Sequence, residues 1–330
     1  MPSRMQRPRR PGGRKVLAIQ QTRKLRKENL MGQQIKKVAV IGTGTLGAQI
    51  AIQAASYGYD VKAYDQDPES FQKTLQKIRG VMKMRGKGPT LPMEEWEKGA
   101  QKVKQARDLA EAVKEADLVI EAVLENLELK RKVFAQIDSL APQGAILATN
   151  SSSIPISKVE SATRRPEKCL NLHFYMPATS MNIVDIMGGT KTTAETIEAG
   201  QKFIRSIGCV PLTVKKEILG FCFNCVWRAI KRQTLYMWAG GYVDFRDIDR
   251  GWMVFTGMTQ GPFGLMDTVG LDVVYDIEMV YYNESKDPKD HPPAALKAMI
   301  ERKDLGVKTG KGFYTYPNPE YARPDFLKGS

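Results

Sequence analysis

Residues 36–70, KKVAVIGTGTLGAQIAIQAASYGYDVKAYDQDPES, constrain the fold more than any other stretch of the chain. Residues 37–41 form a short β-branched run suited to a strand buried on both faces. Gly42, Gly44 and Gly47 follow in G-x-G-x-x-G spacing. Leu46, Ile50 and Ala54 then recur at helical intervals until Gly58 stops the helix, and a second strand over 61–64 ends at Asp65. In such a unit the first glycine makes a tight turn, the second lets a pyrophosphate approach the backbone, and the third lets helix pack on strand. The phosphates rest on the helix N-terminus, which places Thr45 and Leu46 in the same site. A glycine triplet by itself also arises in ordinary turns. The order strand, turn, helix, strand and acid is what separates a dinucleotide site from them. Asp65, eighteen residues beyond Gly47, is placed to accept the adenosine ribose hydroxyls and to repel a 2′-phosphate, and Gln66 rather than an arginine follows it. NAD is therefore expected over NADP.

The second informative stretch is CLNLHFYMPATSMNIVDIM, which holds His173, one of two histidines in the chain. Asp185 follows twelve residues later. A strand, a turn at Pro177 and a returning strand would bring its carboxylate beside the imidazole. A carboxylate on one ring nitrogen fixes the tautomer and makes the other nitrogen a better base, so the pair is a candidate acid/base dyad. The bland alternative is a hydrogen-bonded histidine in a strand core.

Together the two stretches resemble the 3-hydroxyacyl-CoA dehydrogenase family. The likeness runs from Ile35 to Tyr316 through VAVIGTGTLG, ADLVIEAVLENLELKRKVF, TNSSSIPIS, LHFYMP, GFCFN, GPFGLMDTVGLD and KTGKGFYTY, in the family's order. The resemblance implies oxidation of an L-3-hydroxyacyl-CoA to the 3-ketoacyl-CoA or the reverse, a role in fatty-acid metabolism, and a homodimer formed through the C-terminal helices. It also implies that His173 is the base and Asp185 its partner, that Ser152 and Asn224 hydrogen-bond the reacting oxygen and hold the thioester, that Glu125 and Asn150 lie beside the nicotinamide ribose and ring, and that Lys130 lies near the cofactor edge. Lys83, Arg85 and Lys87 fall where the family places its CoA-binding helices. Each has a plainer reading: Ser152 as a helix cap, Asn150 as a turn residue, Glu125 and Lys130 as a solvated helix start, and the three basic residues as a solvated face.

Three positions depart from the family pattern. Asp185 stands where glutamate is usual, Met176 replaces the asparagine of HFFNP, and Cys225 replaces an arginine. These departures keep two alternatives open: a dehydrogenase of a free 3-hydroxy acid of the sugar-acid or carnitine type, and a non-catalytic dinucleotide-binding protein.

The net charge of +14 would suggest a nucleic-acid partner if it were spread over the fold. Instead, residues 1–37 hold twelve Lys or Arg against one acid, Glu28, so all but +3 of that charge lies in the leader. Neither a nucleic-acid nor a membrane partner is expected. The leader is read as translated sequence ahead of a start at Met31, since MGQQIKKVAVIG begins just before the first strand and Lys27-Glu28 can be encoded by AAGGAG, a ribosome-binding sequence. A basic arm that binds polyanions and an Arg-rich organelle-targeting segment are the other readings; without such targeting the protein is expected in the cytoplasm. Cys169, Cys209, Cys222 and Cys225 are too few and scattered for a disulfide framework, and are expected as buried thiols in a reducing compartment. No metal site is expected.

The expected architecture is α/β: a doubly wound Rossmann-type N-terminal domain over residues 35–215, followed by an all-α C-terminal substrate and dimerisation domain over 216–330, after a leader at 1–34. Residues 68–87, 127–140 and 192–207 read as helices, 117–123, 145–149 and 210–214 as strands, and 83–99 as a polar excursion.

Overall fold

The computed structural model describes residues 35–85, 91–178 and 181–329. Their contacts divide the chain into two compact units between Cys222 and Phe223.

The first unit is built on strands β1 (Lys37–Ile41), β2 (Asp60–Tyr64), β3 (Lys104–Gln105), β4 (Leu118–Glu121), β5 (Ile146–Thr149), β6 (Cys169–Phe174), β7 (Ile183–Gly188) and β8 (Val210–Val214), which form one sheet in the order β3-β2-β1-β4-β5-β6-β7-β8. The first six in this spatial order pair in parallel; β7 turns antiparallel to β6, and β8 pairs parallel to β7. The chain moves outward from β1 to β2 and β3, then returns to β4 on the other side of β1. That reversal opens a crevice at the carboxyl ends of β1 and β4, where doubly wound sheets hold their ligands.

Its helices are α1 (Thr45–Ser56), α2 (Ser70–Arg85), α3 (Met93–Lys102), α4 (Leu109–Val113), α5 (Leu127–Leu140) and α6 (Ala194–Ser206). Alternation along β1 divides them: Val38 and Val40 join a core with Ile50, Phe71, Trp96 and Phe203, whereas Ala39 and Ile41 join Val113, Phe134 and Ile137. Both faces of the sheet are thus covered, which is why β4 and β5 are buried at every residue.

The stretch read as a polar excursion contains α3. Its Trp96 is fully buried, and a Cβ on Gly99 would lie 1.9 Å from Ser56 Oγ, so α3 seats closely on α1. Only Trp96, Gly99 and Ala100 are buried in a helix whose other residues are Met93, Gln101 and five charged side chains, which leaves only a short apolar period in the sequence. The two-residue β3 and the single-turn α4 are too short to carry one.

The second unit comprises α7 (Phe223–Ala239), α8 (Phe245–Thr256), α9 (Pro262–Val269), α10 (Leu271–Ser285), α11 (Ala294–Glu301) and an irregular tail. Its aromatic core includes Phe263, Phe313 and Tyr314. Two buried carboxylates join the tail to the helices. Asp249 accepts the Phe263 and Gly264 amides at the start of α9 and the Tyr314 hydroxyl, at 2.8, 2.9 and 3.0 Å. Asp267 accepts the Phe313 and Tyr314 amides and the Tyr316 hydroxyl. A Cβ at Gly312 would lie 2.1 Å from Asp267 Oδ1, so the GPFGLMDTVGLD and KTGKGFYTY motifs are two halves of one structural joint.

Burial pushes the Asp249 carboxyl up to about 6 despite its three donors, and the neighbouring Asp267 acts in the same direction. A carboxyl whose folded value is raised binds its proton more tightly when folded. Its contribution to stability is present below the ordinary aspartate range and is lost as pH rises toward about 6. Asp249→Asn removes that titration, so denaturant midpoints of the variant should fall less from about pH 4 to about pH 6 than those of the unmodified protein. An identical pH slope in the two proteins would show that folding leaves the proton affinity of Asp249 unchanged.

Candidate active site

The glycine turn at the end of β1 separates three steric roles. Gly42 has φ +94°, and a Cβ there would lie 2.6 Å from the Ala122 carbonyl oxygen at the end of β4. At Gly47 a Cβ would lie 1.9 Å from the Gly42 carbonyl oxygen, so this glycine lets α1 close onto the turn. Gly44 is different: nothing lies within 4 Å of the position its Cβ would take. It precedes the first turn of α1, whose amides have no intrahelical acceptors and no side-chain cap. A backbone kept bare on its open side, beside free donors at the positive end of a helix, fits a pyrophosphate. Asp65, after β2, fixes the same turn: its Oδ2 accepts the Thr43 amide at 2.6 Å and the Thr43 hydroxyl at 3.2 Å. The Asp67 amide donates to its other oxygen at 3.1 Å.

The carboxyl ends of β4 and β5 carry a buried polar network. Glu121, fully buried, accepts from Lys130 Nζ at 2.8 Å, from the Val123 amide at 2.7 Å and from the Thr149 hydroxyl at 2.7 Å. Lys130 Nζ also lies 3.2 Å from Glu125 Oε2. The other oxygen of Glu125 accepts the Ser151 hydroxyl, the Ser153 amide at 2.9 Å and the Ser153 hydroxyl at 2.8 Å. Burial raises the Glu125 carboxyl, but these donors and the Lys130 ammonium outweigh it and hold the group below the usual range. The loop after β4 is thereby fastened to the TNSSS loop after β5. Asn150 continues the chain of contacts: its side-chain oxygen accepts the Phe174 amide at 2.9 Å, the residue next to His173. Ser152 is exposed at the head of that loop.

The β6–β7 register sets His173 directly opposite Asp185. His173 Nδ1 lies 3.2 Å from Asp185 Oδ2, with His173 5% exposed and Asp185 fully buried. A carboxylate only accepts, so this contact requires the proton on Nδ1 and leaves the lone pair on Nε2. Two neighbours absent from the sequence reading complete the setting. Tyr175 donates to the same Oδ2 at 2.5 Å and sets its ring edge on the imidazole, centroids 4.6 Å apart. Phe221 stacks on the imidazole at 4.9 Å and 13°. Its φ of +54° is a left-handed conformation that an aromatic residue rarely adopts, and it turns the backbone so that the Cys222 amide donates to Asp185 Oδ1 at 3.3 Å.

A strand–turn–helix phosphate cradle and a histidine–aspartate pair in one doubly wound unit invite comparison with known proteins. The family model "3-hydroxyacyl-CoA dehydrogenase, NAD binding domain" matches residues 37–218, and the model of that family's C-terminal domain matches residues 220–316. The chain belongs to the 3-hydroxyacyl-CoA dehydrogenase family. A 3-hydroxybutyryl-CoA dehydrogenase of Clostridioides difficile is 33% identical over 85% of this chain and 99% of its own. The 5-formyl-3-hydroxy-2-methylpyridine 4-carboxylate 5-dehydrogenase of Mesorhizobium japonicum is 31% identical over 88% of this chain and 93% of its own. A solved diketoreductase, described for dual catalysis of dicarbonyl compounds, superposes with a TM-score of 0.75 at 35% identity, covering 86% of this chain and 99% of its own.

The protein is thus an NAD-dependent oxidoreductase of this family, with NAD as its cofactor. The cradle at Gly44 and the carboxylate of Asp65 are suited to hold it. Among the remaining expected residues, Asn224 lies half-buried in the first turn of α7, in the second unit. Lys83, Arg85 and Lys87 lie outside the residues whose side chains are described, and the basic leader lies outside the described residues altogether. The cysteines correct one expectation. Cys169 and Cys209 are buried, which pushes both thiols up to about 12, but Cys222 is exposed and precedes α7 because the turn at Phe221 intervenes. Among the described residues there is no cluster suited to a metal, and no helix long and apolar enough to cross a membrane.

The steric contrast between the glycines is testable. Gly44→Ala meets no protein atom, so its thermal midpoint should stay close to that of the unmodified protein while NAD affinity falls about tenfold or more. Gly47→Ala should instead lower the midpoint, because its methyl meets the Gly42 carbonyl. Fluorescence titration with NAD and differential scanning calorimetry separate the two, and unchanged NAD affinity in Gly44→Ala would remove the pyrophosphate from this turn.

Proposed function

We propose that the protein interconverts an L-3-hydroxyacyl-CoA and its 3-ketoacyl-CoA with His173 as general acid/base. The observation that carries this reading is the contact of His173 Nδ1 with the buried Asp185, in the same unit as the glycine turn. In the oxidative direction Nε2 of His173 takes the 3-hydroxyl proton as the C3–H bonding pair leaves as hydride. NAD, when bound, supplies the carbon that accepts it. Asp185 holds the ring in the productive tautomer and offsets the charge of the imidazolium. Asp65 accepts the adenosine ribose hydroxyls, and the amides of Thr45 and Leu46 face the pyrophosphate.

Glu125 and Asn150 flank the nicotinamide ribose and ring, with Lys130 holding Glu125 in place. Ser152 and Asn224 hydrogen-bond the reacting oxygen and the thioester, and Lys83, Arg85 and Lys87 receive the phosphates of CoA. The helical unit contributes to substrate binding and to a homodimer in the cytoplasm. In support of the homodimer, Val254 and Phe255 on α8 are 64% and 92% exposed. A second reading, oxidation of a hydroxy compound that is not a thioester, draws support from the names of the Mesorhizobium japonicum relative and of the diketoreductase. Met176, three residues beyond His173 and 60% exposed, is an apolar side chain compatible with either substrate.

NAD reduction followed with CoA thioesters and the matching free acids separates the two readings. On the better substrate His173→Ala should lose roughly 10²- to 10⁴-fold in kcat while binding NAD normally. Asp185→Asn should fall between, since it keeps a hydrogen-bonding partner but loses the charge. Near-normal turnover by His173→Ala would overturn the assignment of the base.

A further inference from the structure

The Asp185 carboxylate serves two side chains unequally. Its Oδ2 receives the Tyr175 hydroxyl at 2.5 Å and faces His173 Nδ1 at 3.2 Å. The first is a short charge-assisted O–H···O⁻ bond; the second is at the long end for a nitrogen donor. Asp185 is fully buried and Tyr175 8% exposed, so little water competes for that oxygen. Among the described residues the imidazole meets Tyr175 just beyond its own strand, Asp185 on β7 and the Phe221 ring, and the Cys222 amide lies on the far oxygen of Asp185.

We propose that Tyr175 is a positioning residue that tunes the dyad: by taking the stronger hydrogen bond to Asp185 it withholds part of the carboxylate's charge from His173 and keeps the imidazole a weaker base. This rests on the acid/base reading of His173 for its bearing on turnover, but not for its electrostatics. A carboxylate oxygen already bonded to a phenol is a poorer partner for an imidazolium. Removing the phenol leaves that charge to the ring alone and favours the protonated form. The Tyr175 ring edge also fixes one side of the imidazole opposite the Phe221 stack, and a phenylalanine at 175 would keep that contact while losing only the hydroxyl.

The chain's two histidines make a direct test practical. In full-length protein, the ring-proton NMR signals of His173 and His291 can be assigned with a His291→Asn variant and titrated from acid to alkaline pH. Tyr175→Phe should move the His173 titration to higher pH and leave that of His291 in place. In an Asp185→Asn background the same substitution should move it little, because the charge being shared is gone. An unmoved or lowered His173 curve in Tyr175→Phe would overturn the proposal, whatever the enzyme turns over. The pH profile of kcat, measured on the best substrate with both variants, then reads the consequence for catalysis. A shift of the NMR curve with no matching shift in the acidic limb of kcat would leave the tuning intact and refute instead the assignment of His173 as base.

Discussion

The completely buried carboxylate of Asp185 is the constraint around which the candidate site is arranged. An ionised group without access to water must be met by donors, and Asp185 gathers three from separate places: the His173 ring on β6, the Tyr175 hydroxyl in the turn beyond it, and the Cys222 amide where the first unit ends. The antiparallel β6–β7 pair supplies the first by register alone. The second and third require a tyrosine in the turn and an aromatic residue held at positive φ. The imidazole is therefore oriented by sheet geometry, whereas the other donors to its carboxylate partner come from residues outside the sheet.

The parts of this arrangement that were legible in the sequence are local ones. A short β-branched run before G-x-G-x-x-G, an acid eighteen residues on, and a histidine and aspartate twelve apart each encode their geometry within one supersecondary unit, and the structure forms the strands, α1 and the hairpin where those patterns put them. What escaped reading depends on contacts between units of sequence. Glu121 looks like an acid closing a strand, and only the fold brings Lys130 and Thr149 to it. Phe221 carries no signal of its own in the sequence, yet it stacks on His173 from a turn. Trp96 was a lone aromatic residue among charges until α1 covered it.

The carboxyl ends of β1, β4, β5 and β6 share one construction. Backbone at each of these ends is held by a side-chain acceptor: Thr43 by Asp65, Val123 by Glu121 from the end of β4 itself, Ser153 by Glu125 and Phe174 by Asn150. Loops at the open edge of a sheet lack ladder partners, so side-chain acceptors take that place, and hydrogen bonds to charged groups contribute about 1.5–3 kcal/mol each. The glycine turn, the loops after β4 and β5 and the strand that carries His173 are held in this way along a single edge of the sheet.

The same device recurs away from the site. Asp117 accepts the Lys36 and Lys37 amides ahead of β1, Glu160 accepts the Thr190 amide, and Asp249 and Asp267 hold the tail of the second unit. At such positions an amide is a poor replacement, since one of its two polar atoms donates where the carboxylate accepted. Asp185 differs in its donors. Backbone amides cannot change their protonation under ordinary conditions, whereas the imidazole can, and the phenol competes for the same oxygen. A fastening used throughout the molecule to hold backbone here holds an imidazole, a donor that can itself take up or release a proton, between β6 and β7.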